Sequence, residues 1–197
     1  MSDYVIEVKG ISRSFPGVKA LDNINFGILR NKVHCIVGEN GAGKSTLIKI
    51  LAGVQPASEG EIFLNGKKYA PKSTRDAMNM GMSVLFQELN VVDQLTVEEN
   101  LTLGKEKQRL SFIQKNDNLE KLVKILNSMD SSIALNQVVA DLSVAQKQVI
   151  EITKAIAADS NVIIMDEPTA AISESETKKL FSVIKNLRKQ NVTVIYI

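Results

Sequence analysis

The chain has 197 residues, within reach of one large domain or one domain with a lobe. With a formal net charge of +2 and no Trp, neither electrostatics nor base stacking makes a case for nucleic acid or anionic lipid. A single cysteine excludes an internal disulfide and suits a reducing cytosol, and no segment approaches the ~20 apolar residues of a membrane span.

The first ten residues carry acidic side chains and lack the apolar run of a signal peptide. With no apolar run of spanning length, another chain is expected to do the spanning in any membrane process served here. Tyr4–Val8 and Ile24–Ile28 alternate apolar and polar residues, which predicts half-buried strands. Val33–Val37 is apolar and β-prone; Cys35 within it is expected to be a buried core thiol and His34 a structural histidine. Gly38, Glu39, Asn40, Gly41, Ala42, Gly43, Lys44, Ser45 and Thr46 then spell the phosphate-binding pattern G-x-x-x-x-G-K-[ST]. Ser45–Ala52 is helix-forming and stops at Gly53, so the loop has the strand and helix flanks it needs. Gly41 and Gly43 let the backbone wrap a phosphate chain, with its N–H groups and the helix N-terminus facing the negative charge. Lys44 is placed to reach the β- and γ-phosphates and the Ser45 hydroxyl to ligate Mg²⁺.

Glu61–Leu64 followed by Asn65-Gly66 predicts a strand entering a tight turn, and Ser83–Phe86 a strand ending at Gln87. The middle of the chain turns helical. Thr96–Glu99 and Ser143–Gln146 are capping boxes. Leu119, Leu122, Val123, Leu126 and Met129 form one apolar stripe, and Val149, Ile152 and Ile156 another. Asn161–Met165 is a continuous apolar run, the mark of a strand buried on both faces. It closes in Asp166-Glu167. A carboxylate at the C-terminal end of a parallel strand beside a phosphate loop is placed to hold Mg²⁺, the role given to Asp166; Glu167 follows as the group to deprotonate an attacking water. Ser173–Glu176 caps a helix with stripe Leu180, Val183, Ile184 and Leu187, and Val192–Ile197 is a further buried-type strand. Because Ile197 falls mid-strand, the chain is expected to be a single domain, 1–197, cut short at its C-terminus.

In this order the motifs resemble the ATP-binding cassette (ABC) family of transport ATPases over nearly the whole chain, from about Val5 onward. Gln87 resembles the family's Q-loop glutamine, which senses the metal and the membrane partner. Leu142, Ser143, Val144, Ala145 and Gln146 resemble the signature Leu-Ser-Gly-Gly-Gln. Pro168–Ser173 resembles the segment leading into the D-loop, and Phe15 falls where the family sets an aromatic ring against adenine. More narrowly, Phe15–Leu21, Gly38–Gly41, Gln87–Asn90 and Ile164–Thr169 resemble the first cassette of monosaccharide importers, in which two cassettes are fused.

The resemblance implies an α/β P-loop NTPase of RecA-like, ABC type: a mainly parallel sheet, an antiparallel β lobe, and an inserted helical lobe over 88–159. It implies ATP with Mg²⁺, held by Ser45, Gln87 and Asp166, and hydrolysis through Lys44 and Glu167. The implied partners are a second cassette, fused or separate, an integral membrane permease and, indirectly, a solute-binding protein outside the cell, with the cassette peripheral to the inner face of the membrane. Ser143 caps a helix whose tip meets the nucleotide held by the opposite cassette. Val144 and Ala145 replace both signature glycines and Ser173 the D-loop aspartate, so the site completed by this tip is expected to hydrolyse poorly. Two other classes stay open. One is a soluble ABC ATPase acting on ribosomes or DNA, which would carry charged insertions or coiled-coil heptads. The other is a regulatory cassette that binds ATP with little hydrolysis.

Overall fold

A computed structural model of the chain describes residues 3–86, 89–103, 117–169 and 173–197. In chain order its elements begin with β1 (Tyr4–Phe15), β2 (Val18–Leu29), β3 (Val33–Cys35), α1 (Lys44–Leu51), β4 (Glu59–Leu64) and β5 (Lys67–Lys68). Then come α2 (Thr74–Asn79), β6 (Met82–Leu85), α3 (Val97–Thr102), α4 (Asp117–Met129) and, after a 3₁₀ turn at Val139–Asp141, α5 (Val144–Ala157). The last are β7 (Val162–Met165), α6 (Glu174–Lys189) and β8 (Thr193–Tyr196).

Two sheets result among the described residues, an antiparallel one in the order β2-β1-β4-β5 and a parallel one in the order β3-β8-β7-β6. β1 and β2 form one long hairpin in which Phe15 faces Val18. They run well beyond the predicted Tyr4–Val8 and Ile24–Ile28, because register shifts between Val8 and Ile11 and between Ile11 and Arg13 break the alternation without ending the pairing. The Asn65-Gly66 turn is present, with φ 53° and 74°, the positive values that a two-residue hairpin needs.

The parallel sheet separates two cores. On β7, Val162 and Ile164 face α1 and the antiparallel sheet, while Ile163 and Met165 face α5 and α6. All four are fully buried, as the continuous apolar run predicts. Truncating Ile163 or Ile164 to Ala would open a cavity in one core or the other, at about 2–5 kcal/mol. The second core continues into the helical segment: Val97 and Leu101 of α3, Leu122 and Leu126 of α4, and Val149 and Ile152 of α5 are all buried in it. Buried Asn100 braces the approach to α3: its side-chain amide donates to the carbonyls of Val92 and Thr96 at 2.9 and 3.0 Å, and its oxygen accepts from the Val92 amide at 2.8 Å.

Each predicted capping box is made. Thr96, Ser143 and Ser173 each accept from the backbone N–H three residues on, while Glu99, Gln146 and Glu176 return the bond to the cap amide. One expectation fails. Cys35 is exposed, not buried, because β3 lies at the end of the sheet order and, among the described residues, pairs only with β8. His34 is structural as expected, its Nε2 donating to the Leu29 carbonyl at 3.1 Å.

Candidate functional site

The four parallel strands end level. Cys35, Tyr196, Met165 and Leu85 stand in one row across β3, β8, β7 and β6. Main-chain bonds carry the alignment one step past the strands: Ile36 N–H to Tyr196 O at 2.9 Å, Ile197 N–H to Met165 O at 3.0 Å and Asp166 N–H to Leu85 O at 2.9 Å. The loop after β3 and the acid pair after β7 therefore leave the same rim of the sheet.

The loop is held by its backbone. Ala42 N–H donates to Glu39 O at 3.1 Å, and Gly43 caps α1 in the left-handed region at φ 87°. A Cβ at Gly43 would lie 2.4 Å from the Ala20 carbonyl oxygen and 2.8 Å from a Leu21 methyl, so β2 excludes every other residue there. Contact at Ala20 and Leu21 also sets the β1–β2 hairpin, with Phe15 near its turn, against the loop. The Lys44 ammonium curls into the loop, donating to the carbonyls of Gly38 at 2.6 Å and Glu39 at 2.9 Å. No side chain caps α1. The amides of Lys44, Ser45 and Thr46 at this helix start therefore form an anion-binding end carrying about half a positive charge.

Asp166 is half-buried and Glu167 exposed. Burial pushes the Asp166 carboxyl above the ordinary aspartate range, the Glu167 carboxylate beside it pushes the same way, and the ammonium groups of Lys44 and Lys49 pull it back. Two neighbouring carboxylates within the field of the loop lysine form a site that a hard cation would relieve. Mg²⁺ fits this donor chemistry, since it takes one or two protein oxygens and completes its shell with phosphate oxygens and water. Glu167 adopts φ 46°, a left-handed conformation uncommon outside glycine, and its amide donates to Ile197 O at 3.2 Å.

Phe15 is 40% exposed, with the Arg13 guanidinium 5.1 Å from its ring centre, which leaves ring surface open to a planar ligand. At the other helix tip Ser143 is exposed and Val144 half-buried, while Ala145 is 6% exposed and lines a groove with Val149, Leu180 and Val183. Gln87 lies outside the described residues, as do Ala170, Ala171 and Ile172 of the segment leading to Ser173.

Two residues escape the sequence reading. Gln148 and Glu151 are polar side chains on the buried face of α5, at 8% and 6% exposure. Gln148 Nε2 donates to Pro168 O at 2.7 Å and Glu151 Oε1 accepts from the Asn90 amide at 2.7 Å. Their signal is two polar residues set directly beside the apolar Val149, Ile150 and Ile152. Glu176, expected in the cap of α6, reaches beyond that cap. Its carboxylate is held below the usual range first by the Ser173 amide and then by the Ser173 hydroxyl, with smaller help from the Ser143 hydroxyl and the Ala145 amide. The start of α6 thus neighbours the tip of α5.

A family model described as ABC transporter matches residues 21–170. The chain is 42% identical, over its whole length, to a galactose/methyl galactoside import ATP-binding protein of Clostridium perfringens, covering 38% of that protein. It is also 42% identical to a xylose import ATP-binding protein of Geobacillus kaustophilus, matched over all of this chain and 40% of the relative. The chain thus spans about two-fifths of the length of these curated relatives. Among solved structures, the ADP conformation of an ATP-binding cassette of an ABC transporter matches at TM-score 0.89 and 28% identity, over all of this chain and 81% of that one. A nucleotide-free cassette matches at TM-score 0.87 and 27% identity, over 98% of this chain and 81% of that one.

Proposed function

The chain belongs to the ABC transporter family, and on that footing we propose that it binds ATP at the Gly38–Thr46 loop, hydrolyses it, and couples the reaction to sugar uptake through a separate membrane protein. The observation that carries the reading is the shared rim: the loop lysine and the acid pair leave level strands, and Lys44 acts electrostatically on Asp166. That is the arrangement phosphoryl transfer needs, in which catalysis is positioning plus charge stabilisation.

Each residue then has a task. The loop amides and the α1 tip take the phosphate chain. Lys44 exchanges the Gly38 and Glu39 carbonyls for phosphate oxygens and stabilises the charge on the transferred group. The Ser45 hydroxyl and Asp166 carboxylate would hold Mg²⁺, which when bound would neutralise phosphate charge. Glu167 accepts the proton of the attacking water as its oxygen bonds to the γ-phosphorus and the bond to the β-phosphate oxygen breaks. Phe15 offers its open face to adenine, and Gln87 is assigned the family's sensing role.

The import direction and the monosaccharide class rest on the relatives' names. No described helix is long and apolar enough to cross a membrane, which fits a cassette that works from the inner membrane face on a permease and a second cassette. Helices α3, α4 and α5 serve as the lobe that presents Ser143, Val144, Ala145 and Gln146 to the opposite nucleotide.

The deciding experiment is equilibrium binding of ATP to the complete protein with and without Mg²⁺, in the wild type and Lys44→Ala. Micromolar, Mg²⁺-strengthened binding that weakens by about tenfold or more in Lys44→Ala is expected for one lost charge-assisted contact. Equal binding by the two proteins would remove the loop from its role.

A further inference from the structure

Besides its apolar Val149, Ile150 and Ile152, α5 buries two long polar side chains three residues apart, Gln148 and Glu151, that the proposed function does not use. Each reaches a different strand end. Gln148 holds the Pro168 carbonyl and Glu151 holds the Asn90 amide, both at 2.7 Å. Neither side chain is fully satisfied, since Gln148 Oε1 and Glu151 Oε2 are buried without a partner. Apolar residues of similar volume would avoid that cost, so packing alone does not account for the pair.

Their targets supply the reason. Pro168 directly follows Glu167, whose left-handed backbone is a conformation that persists only where its surroundings over-determine it. The turn is pinned on one side by the Glu167 amide on Ile197 O at 3.2 Å. On the other side the bond to the Pro168 carbonyl comes from the Gln148 side chain, from outside the sheet. Asn90 lies a few residues past the end of β6, whose last residue, Leu85, receives the Asp166 amide. One helix therefore grips the chain after β7, which carries the acid pair, and at Asn90 beyond its neighbour β6, and the same helix begins at Ser143.

We infer that Gln148 and Glu151 are positioning residues for hydrolysis: from α5 they fix the turn behind Glu167 and the segment after β6, so that the placement of the Ser143 tip sets the placement of the proposed base. The inference rests on the assignment of Glu167 as that base. It predicts a kinetic signature that a purely structural role would not produce, in which the chemical step suffers and nucleotide binding does not.

The test measures kcat, KM and ATP affinity of the complete protein, with melting temperature as the check on folding. Gln148→Met and Gln148→Leu keep the volume and remove the donor. Either, folded, is expected to lower kcat about tenfold or more while ATP affinity stays within about twofold. Glu151→Gln retains an oxygen for the Asn90 amide and is expected to keep kcat; Glu151→Met is expected to lower it. Should the folded Gln148 variants turn over at the wild-type rate while Glu167→Gln is inactive, the positioning role is wrong and the base assignment stands. Should Glu167→Gln itself turn over normally, both fall.

Discussion

Glu151 Oε1 accepts the Asn90 amide at 2.7 Å from a site 94% removed from solvent, and its second oxygen has no partner. Burial first pushes this carboxyl above the ordinary glutamate range; the Asn90 hydrogen bond and the Lys154 ammonium pull it back without cancelling the rise. Lys154, three residues on, is pushed below the ordinary lysine range by the same burial, against the attraction of Glu151. The two shifts agree in cause: for both groups desolvation outweighs pairing.

The sign of the pH effect follows. A carboxyl whose folded pKa is raised gives no penalty below its unfolded value, about 4.3. As pH climbs from there toward the folded value, the unfolded chain sheds its proton first and stability falls; above the folded value the deficit is constant. Glu151→Gln carries no such proton. Its stability relative to wild type is expected to rise with pH from about pH 4 upward and then level off. Urea denaturation at pH 4.5 and 7.5 reads this directly, and a difference that is flat or shrinks with pH contradicts it.

The two loop glycines separate conformational strain from collision. Gly41 has φ 85° and open space where a Cβ would stand, so Gly41→Ala should cost about 1–2 kcal/mol for the left-handed backbone and leave the loop in place. Gly43 has φ 87° and the Ala20 carbonyl in the way, and the peptide there belongs to a β1-paired strand that cannot retreat. Gly43→Ala should therefore destabilise the fold further and weaken ATP binding more than Gly41→Ala does. Thermal melts and nucleotide titrations of both variants give the ranking, and equal effects would mean that the hairpin yields.

Glu167→Gln keeps the shape and the positive-φ turn while removing the base. ATP affinity is expected to hold and turnover to fall by about 10²–10⁴, the usual loss for a general base. Steady-state hydrolysis beside equilibrium binding makes the comparison; turnover within a few-fold of wild type would dismiss Glu167 from proton transfer.

What could be read in the sequence was what depends on local pattern. The glycine loop, three capping boxes and the doubly buried β7 are each specified by residues a few positions apart, and each is present. What could not be read depends on partners distant in the chain. Val33–Val37 has the apolar run of a central strand, but rank in a sheet is set by which strands pair, and Cys35 stands exposed on an edge among the described residues. The far half of β1 hides behind bulges that shift the phase of alternation. No local pattern points from Gln148 and Glu151 to their partners at Pro168 and Asn90, twenty and sixty-one residues away.

The departure from two signature glycines shrinks once the tip is seen in place. Ala145 turns its methyl into the groove beside Val149, Leu180 and Val183, so it leaves the helix end clear. Val144, the first residue of α5, is half-buried beside the exposed cap Ser143, so on the proposed function it is the side chain that a phosphate at this tip would meet. Close approach of backbone N–H groups to an anion favours glycine, and a β-branched residue is the least able to move aside. Val144→Gly should therefore raise nucleotide trapping at the site completed by this tip, despite a cost of up to about 1 kcal/mol in helix propensity. Ala145→Gly should lower stability without that gain. Counting trapped nucleotide per complete protein distinguishes the two: a rise for Val144→Gly alone supports a tip blocked by one side chain, and no rise for either would place the asymmetry elsewhere, with Ser173 next to be examined.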